Sequence, residues 1–381
     1  MTKYSSFTSP DGENEHFISI SSERNSDFSE CLESFYESYV STLKEIGLTQ
    51  DTQVFCRFYL SDIANQKEEL LKSKIFKFSK KGAYSIIQQC PLDGGSISML
   101  SYHIEGAKKK NVLKFNDNEW KNGISIQGGN YALHYTGNFI SEGPVDSFKQ
   151  TSDIFSDYNS FLKENRMSLL NNTVRTWIYL RDIDNNYSGM VEARKIFFNK
   201  NSLTKDTRYI ASTGIEARLK EPSVLVSMDA ISIYGLRPKQ IVRMEAREHL
   251  NPTHEYGVTF ERGTKIEFGD RSHLYISGTA SIDKQGKILH AGDVKKQTER
   301  VIENITALLK PHGADLKDML YFIVYIRNIT EAKAVESILK REKLDSAPII
   351  FAEGAVCRPG WLVEIEGKAI IKNKLEWPDF F

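Results

Sequence analysis

The chain has 381 residues, more than one ordinary domain requires and enough for two or three. With 40% hydrophobic and 26% charged residues it has a globular composition, and 50 Lys plus Arg against 50 Asp plus Glu leave no net field directed at nucleic acid or a membrane surface. The four cysteines (Cys31, Cys56, Cys90, Cys357) show no zinc spacing, there is no leader-like N-terminus, and no apolar run nears the roughly 20 residues of a membrane span, so the expected setting is the reducing cytoplasm.

In chain order, an amphipathic helical stretch (28–48) precedes an apolar run ending RFYLSDI (Arg57–Ile63). The basic, aromatic run Lys72–Gly82 reads as a solvated strand or loop, and a β-like run, GGSISMLSYHI, follows at 94–104. A Lys- and Asn-rich separator is expected over Lys108–Asn122. The pattern then returns: ALHYTGNFIS (Ala132–Ser141), a helical stretch at 147–167, WIYLRDI (Trp177–Ile183), a short turn holding Thr213 and Gly214, and EPSVLVSMDAISI at 221–233. Tyr234–Glu267, with Pro238, Pro252 and Gly263, reads as a connector. The third occurrence comprises LYISGTASID (Leu274–Asp283), a helix from Val294 stopped by Gly313, IVYIRNI (Ile323–Ile329) and PGWLVEIEGKAI (359–370).

Helix, tyrosine strand and closing strand thus recur in the same order three times, with Tyr59, Tyr179 and Tyr325 as landmarks. The expected modules are residues 1–125, 126–245 and 246–381. Strand alternation separates two faces. In the second copy Thr176, Ile178 and Leu180 oppose Arg175, Trp177, Tyr179 and Arg181, and in the third Phe322, Val324 and Ile326 oppose Tyr321, Ile323 and Tyr325. The apolar face suits a helix. The aromatic and arginine face suits a neighbouring module, so three sheets can pack around a common axis with clefts between them.

Glu364 is the acid of interest, because the matching runs of the other copies carry Ser98 and Ser227. Beside apolar walls such a carboxyl is raised toward neutral pH and can deliver a proton. Glu366, on the same face, reads as a supporting residue. Planar guanidinium forks fit carboxylate ligands best. Arg175 leads these, followed by Arg358 and then Arg262, while Arg181 reads as a surface ion pair. Tyr135 and Tyr179 read first as packing aromatics. Cys357 has no neighbouring base to activate it and reads as a pocket wall. No histidine pair has metal-ligand spacing, no GxGxxG or P-loop occurs, and no cofactor is expected.

The third copy resembles the RidA/YjgF family over nearly its whole length, through YISGTASID, the helix QTERVIENITALLKPHGADLKDM, FIVYIRNI and WLVEIEGKAI. That family is a homotrimer of a chorismate-mutase-like α+β fold with ligand sites between subunits. The resemblance therefore implies three tandem modules forming an intramolecular pseudotrimer, monomeric as a chain. Residues 130–375 are similar, more narrowly, to the chorismatases, through NTVRTWIYLRDID (Asn171–Asp184), YIASTGI (Tyr209–Ile215) and GAVCRPGWLVEIEG (354–367). This resemblance implies a catalytic glutamate at Glu364, an active-site cysteine at Cys357, a carboxylate-binding arginine at Arg175, and a small residue at Gly278. Tyr179, Thr213, Gly214 and Arg358 complete the expected binding set. The implied reaction takes pyruvate from chorismate to leave a hydroxybenzoate, 3-hydroxybenzoate before a dihydrodiol acid. A RidA-like enamine or imine deaminase is the rival enzyme, but Ile349 or Ile350 stands where its carboxylate-binding arginine is expected. A scaffold that binds a small carboxylate without turnover is the rival outside catalysis.

Overall fold

The computed structural model describes residues 2–10, 12–23, 27–107, 109–113, 121–141, 143 and 145–381. Three mixed sheets, one of five strands and two of six, each carry helices on one face. In the first, Thr2–Phe7, Glu15–Ser21, Ile97–Ile104, Gln53–Leu60 and Ala83–Gln88 lie side by side. The other two repeat that order. Ala132–Ile140, Val226–Tyr234, Thr173–Leu180 and Ala211–Glu216 are neighbours in the second sheet. Arg271–Ala280, Val363–Lys372, Met319–Ile326 and Ile349–Glu353 are neighbours in the third. In every module the last two strands of this order are parallel, with a helix crossing between them.

Register makes the repeat exact at the landmark tyrosines. Tyr59 lies opposite Ser98, Tyr179 opposite Ser227 and Tyr325 opposite Glu364. The face of each tyrosine strand that alternates away from the tyrosines packs under the helices: Cys56, Phe58 and Leu60 meet Phe35 and Tyr39, while Ile178 and Leu180 meet Ile154 and Tyr158. The opposite faces meet each other, and Phe55, Tyr59, Trp177, Tyr179, Tyr321 and Tyr325 form one core shared by all three modules. The sheets close a ring. Ala83–Gln88 lies against Ala132–Ile140, Ala211–Glu216 against Arg271–Ala280, and Met319–Ile326 against the first two strands of the chain.

Each of the three contacts contains a fully buried ion pair: Arg57–Asp229 at 2.8 Å, Arg175–Glu366 at 2.5 Å, and Lys368–Glu15 at 3.0 Å. Arg271 adds a second cation to Glu15 at 2.9 Å; burial opposes ionisation of the Glu15 carboxyl, but His273, then Lys368 and Arg271, hold it well below its ordinary range. Removing one partner of such a pair strands a charge out of water and costs about 3–5 kcal/mol.

Four expectations are corrected. Lys72–Gly82 is mostly helical: Ile63–Lys72 ends there and Lys74–Ser79 follows, capped by Ser73, because Ile75, Phe76 and Ser79 bury one side. The Lys108–Asn122 separator is partly sheet, with Lys109–Leu113 pairing with Asn122–Gln127; positions 108 and 114–120 lie outside the described residues. The Tyr234–Glu267 connector likewise contains Ile241–Met244 and Gly263–Glu267, a hairpin added to the third sheet. Asn122–Gln127 thus joins the second sheet and Ile241–Met244 the third. Finally, Thr213 and Gly214 lie within the strand Ala211–Glu216, whose parallel ladder to Thr173–Leu180 leaves no turn there.

A candidate acidic site between the second and third modules

Glu364 enters from Val363–Lys372, 6% exposed, and lines a cavity between the second and third modules. The cavity holds about 590 Å³ of non-protein space, open solvent at its mouth included. Burial, and then the charge of Glu366, push the Glu364 carboxyl from 4.5 up to about 8, with Arg175 and Arg262 pulling the other way. It is therefore a protonated acid at neutral pH, facing the cavity.

The neighbouring strand makes room for it. Between Ile276 and Thr279 the register of Arg271–Ala280 against Val363–Lys372 shifts, and Gly278 sits in that bulge. A Cβ at 278 would collide with Glu364 Oε1, come within 2.7 Å of its Cδ, and meet Thr213 Cγ2 at 3.0 Å. The missing side chain is what allows the acid its position. The Gly278 N–H donates to Thr213 Oγ1 at 2.9 Å, fixing the two modules to each other at the cavity wall.

Glu366, two residues on, is an anchor. Arg175 Nη2 donates to it at 2.5 Å, Trp177 Nε1 at 2.6 Å, Tyr325 Oη at 3.2 Å, and Thr213 Oγ1 also donates to it. Arg175 is thus committed to Glu366 and Thr213, stacks on Trp177 at 4.7 Å, and does not line the cavity; its Nη1 is buried without a hydrogen bond among the described residues. Tyr179 is also elsewhere, with its hydroxyl 3.4 Å from Asp229 and Arg57 over its ring, in the core between the first and second modules. Tyr135 stacks on Phe55 at 3.9 Å. Among the described residues Arg181 makes no ion pair; its guanidinium caps loop carbonyls of Leu219 at 2.6 Å and Val224 at 3.3 Å.

The guanidinium groups that do line the cavity belong to Arg194, Arg262 and Arg358. Arg262 is anchored to the Asn251 carbonyl at 3.2 Å and lies over Phe260, Arg194 Nε donates to Thr259 Oγ1 at 3.2 Å, and Arg358 lies over Trp361 at 4.9 Å. Thr213, Gly214, Gly278 and Cys357 share the same wall. The Cys357 thiol is hydrogen-bonded to Tyr187 and is pushed up to about 12, first by burial and then by Glu364, which excludes a thiolate nucleophile at neutral pH. Three cations around one neutral acid make an anion-attracting cavity with a proton to give.

Sequence pattern alone does not single out Tyr187 and Arg194. Both lie on Ile183–Lys200, where Met190, Arg194 and Phe198 are buried at helical spacing. An arginine inside an apolar helical stripe was the available signal. On the opposite side of the third module, Ile349–Glu353 carries Ile349 and Ile350 and no arginine. Among the described residues, no group of three His, Cys, Asp or Glu side chains could hold a metal ion, and no helix is long and apolar enough to cross a membrane.

Residues 266–371 match the family described as Endoribonuclease L-PSP. A RutC family protein of Pyrococcus abyssi is 32% identical over 75 residues, which is 20% of this chain and 59% of that protein, so the chain spans about three fifths of that relative's length. The 3-aminoacrylate deaminase RutC of Acinetobacter baylyi is 26% identical over 97 residues, covering 25% of this chain and 77% of that protein. Among solved structures, a chorismatase superposes with a TM-score of 0.64 at 16% identity, over 84% of this chain and 93% of its own.

Proposed function

We propose that this chain, a pseudotrimer with a RidA/YjgF-type third module and the fold of a chorismatase, releases pyruvate from chorismate with Glu364 as general acid. The observation that carries the reading is the protonated carboxyl of Glu364, held near 8 inside an arginine-walled cavity at the contact of the second and third modules. Chorismate has two carboxylates and an acid-labile enol ether, so it needs cations to bind and a proton to react.

In this reading Arg194, Arg262 and Arg358 bind the dianion, and Arg175 acts through Glu366 and Thr213 to hold the wall. Glu364 gives its proton to the terminal methylene carbon of the enolpyruvyl group, and the ether carbon becomes an oxocarbenium ion. Cleavage of the ring C–O bond releases pyruvate. If water is captured, the ring product is a dihydrodiol acid. If water is kept out, the C4 hydroxyl oxygen closes on the ring cation at C3 and its proton returns to Glu364; the three-membered ether then opens at C4 and loss of the C3 hydrogen aromatises the ring, so the atoms of chorismate divide between pyruvate and 3-hydroxybenzoate with none added. Apolar walls at Val258, Phe260 and Ile282 restrict water and favour the aromatic branch, 3-hydroxybenzoate. Gly278 and Cys357 shape the floor on which the intermediate turns. Electrostatic positioning supplies the bulk of the rate.

The test is to incubate the purified protein with chorismate, couple pyruvate to lactate dehydrogenase, and identify the ring product by chromatography. Pyruvate release lost in Glu364→Gln, with chorismate binding retained, is the expected result. No pyruvate at high protein concentration sinks the reading. Chorismate binding without turnover by the unaltered chain would favour the scaffold alternative, and ammonia release from a small carboxylated enamine would favour the deaminase.

A further inference from the structure

Away from the acidic cleft, the ends of the three parallel edge strands converge. Gln88 closes the strand of the first module, Glu216 that of the second and Glu353 that of the third, and all three line one cavity of about 800 Å³, open solvent at its mouth included. Backbone hydrogen bonds stitch the meeting point: the Gln88 N–H donates to Arg218 at 2.8 Å, Glu353 to Cys90 at 2.8 Å, and Glu216 to Ala355 at 3.1 Å. One contribution from each module makes this a feature of the assembled pseudotrimer.

The charges on this cavity are incompletely matched. Arg218 approaches Glu216 only to 3.9 Å, longer than a tight pair, and Arg327 is committed to Asp184 at 2.8 and 3.0 Å. Burial pushes the Glu216 carboxyl above its ordinary range, against the charge of Arg218 and a hydrogen bond from the Ile183 N–H. Gln89 is 3% exposed and donates from Nε2 to the Glu216 carbonyl at 2.7 Å, while its Oε1 is buried without a hydrogen bond among the described residues. A simple anion is repelled by Glu216 and Glu353, and a simple cation by Arg218. A ligand carrying both charges is repelled by neither.

We propose that this axial cavity binds a zwitterionic α-amino acid, its ammonium group donating to Glu216 and its carboxylate held by Arg218. The site is separate from the acidic cleft but backs onto it. Glu216 ends the strand whose Thr213 and Gly214 line the cleft, and Gly354 and Ala355 lead directly to Cys357.

The experiment titrates the full chain with each proteinogenic L-α-amino acid in turn, by thermal shift and then calorimetry, without chorismate and so independently of any turnover. The expected result is one-to-one binding of at least one amino acid, undetectable for its des-amino and decarboxylated analogues. Glu216→Gln and Arg218→Gln should each weaken binding by about tenfold or more, the loss of one charge-assisted contact. Arg218 is half exposed at the rim, so its variant tests the site without endangering the fold. Absence of binding by every amino acid, equal binding of a des-amino analogue, or binding unchanged in both variants overturns the proposal.

Discussion

Glu364 should make the protein's stability depend on pH in a way that one substitution abolishes. Folding moves its carboxyl from 4.5 to about 8, so between those values the folded chain holds a proton that the unfolded chain releases. The stabilisation associated with that proton is fully present below 4.5, declines as pH rises, and is lost once pH passes 8. At about 1.4 kcal/mol per pH unit, the whole excursion corresponds to roughly 5 kcal/mol. Unfolding entropy scales with chain length, and for a chain of this size that energy corresponds to roughly 6 °C in Tm. Glu364→Gln keeps the shape and cannot ionise, so it should match the unaltered protein at pH 5 and exceed it by about that margin at pH 9. Calorimetric Tm values of both proteins across this range test the difference, in which other titrating groups cancel. A difference that stays constant with pH would show that the carboxyl titrates normally, refuting the protonated-acid reasoning and the proton donation that depends on it.

Three further outcomes follow from the same geometry. Gly278→Ala should displace Glu364 and abolish pyruvate release while lowering stability by about 1–3 kcal/mol, read by the coupled assay and by urea denaturation. Arg175→Met should destabilise by about 3–5 kcal/mol because it strands Glu366, and Arg175→Met with Glu366→Leu should recover most of the loss, as a double-mutant cycle in urea would show. Cys357→Ala should leave pyruvate release within about tenfold of the unaltered rate, since a thiol held near 12 is no nucleophile, while the proportion of ring products shifts on chromatography.

The repeat, the α+β class and the division of each tyrosine strand into a helix face and a shared face were legible because alternation and order are local properties. Glu364 was legible for a related reason: it breaks a pattern, standing where the register puts Ser98 and Ser227 in the other modules. What could not be read was which arginines face the cleft. Arg175 sits on the expected strand face, yet its partner Glu366 is 191 residues away, and only the docking of two modules shows that the pair is closed. Arg194 reaches the cavity from the helix Ile183–Lys200 and is held there by Thr259, 65 residues on in the chain. The Lys72–Gly82 run reads as solvated because its five lysines mask a short capped helix with Ile75 and Phe76 beneath it. Each miss is a contact between elements distant in sequence.

Covalent linkage of the three modules has a kinetic and a genetic consequence. Docking that three separate chains would complete by collision is completed here at an effective concentration set by the linkers, so dilution does not dissolve the ring. Every position also exists once. A substitution in three identical subunits would change every cleft together, whereas Ser98, Ser227 and Glu364 are three independent residues under one axis. Asymmetry of this kind predicts one acid per chain in an active-site titration, a hyperbolic response to substrate, and two remaining clefts free to acquire other duties.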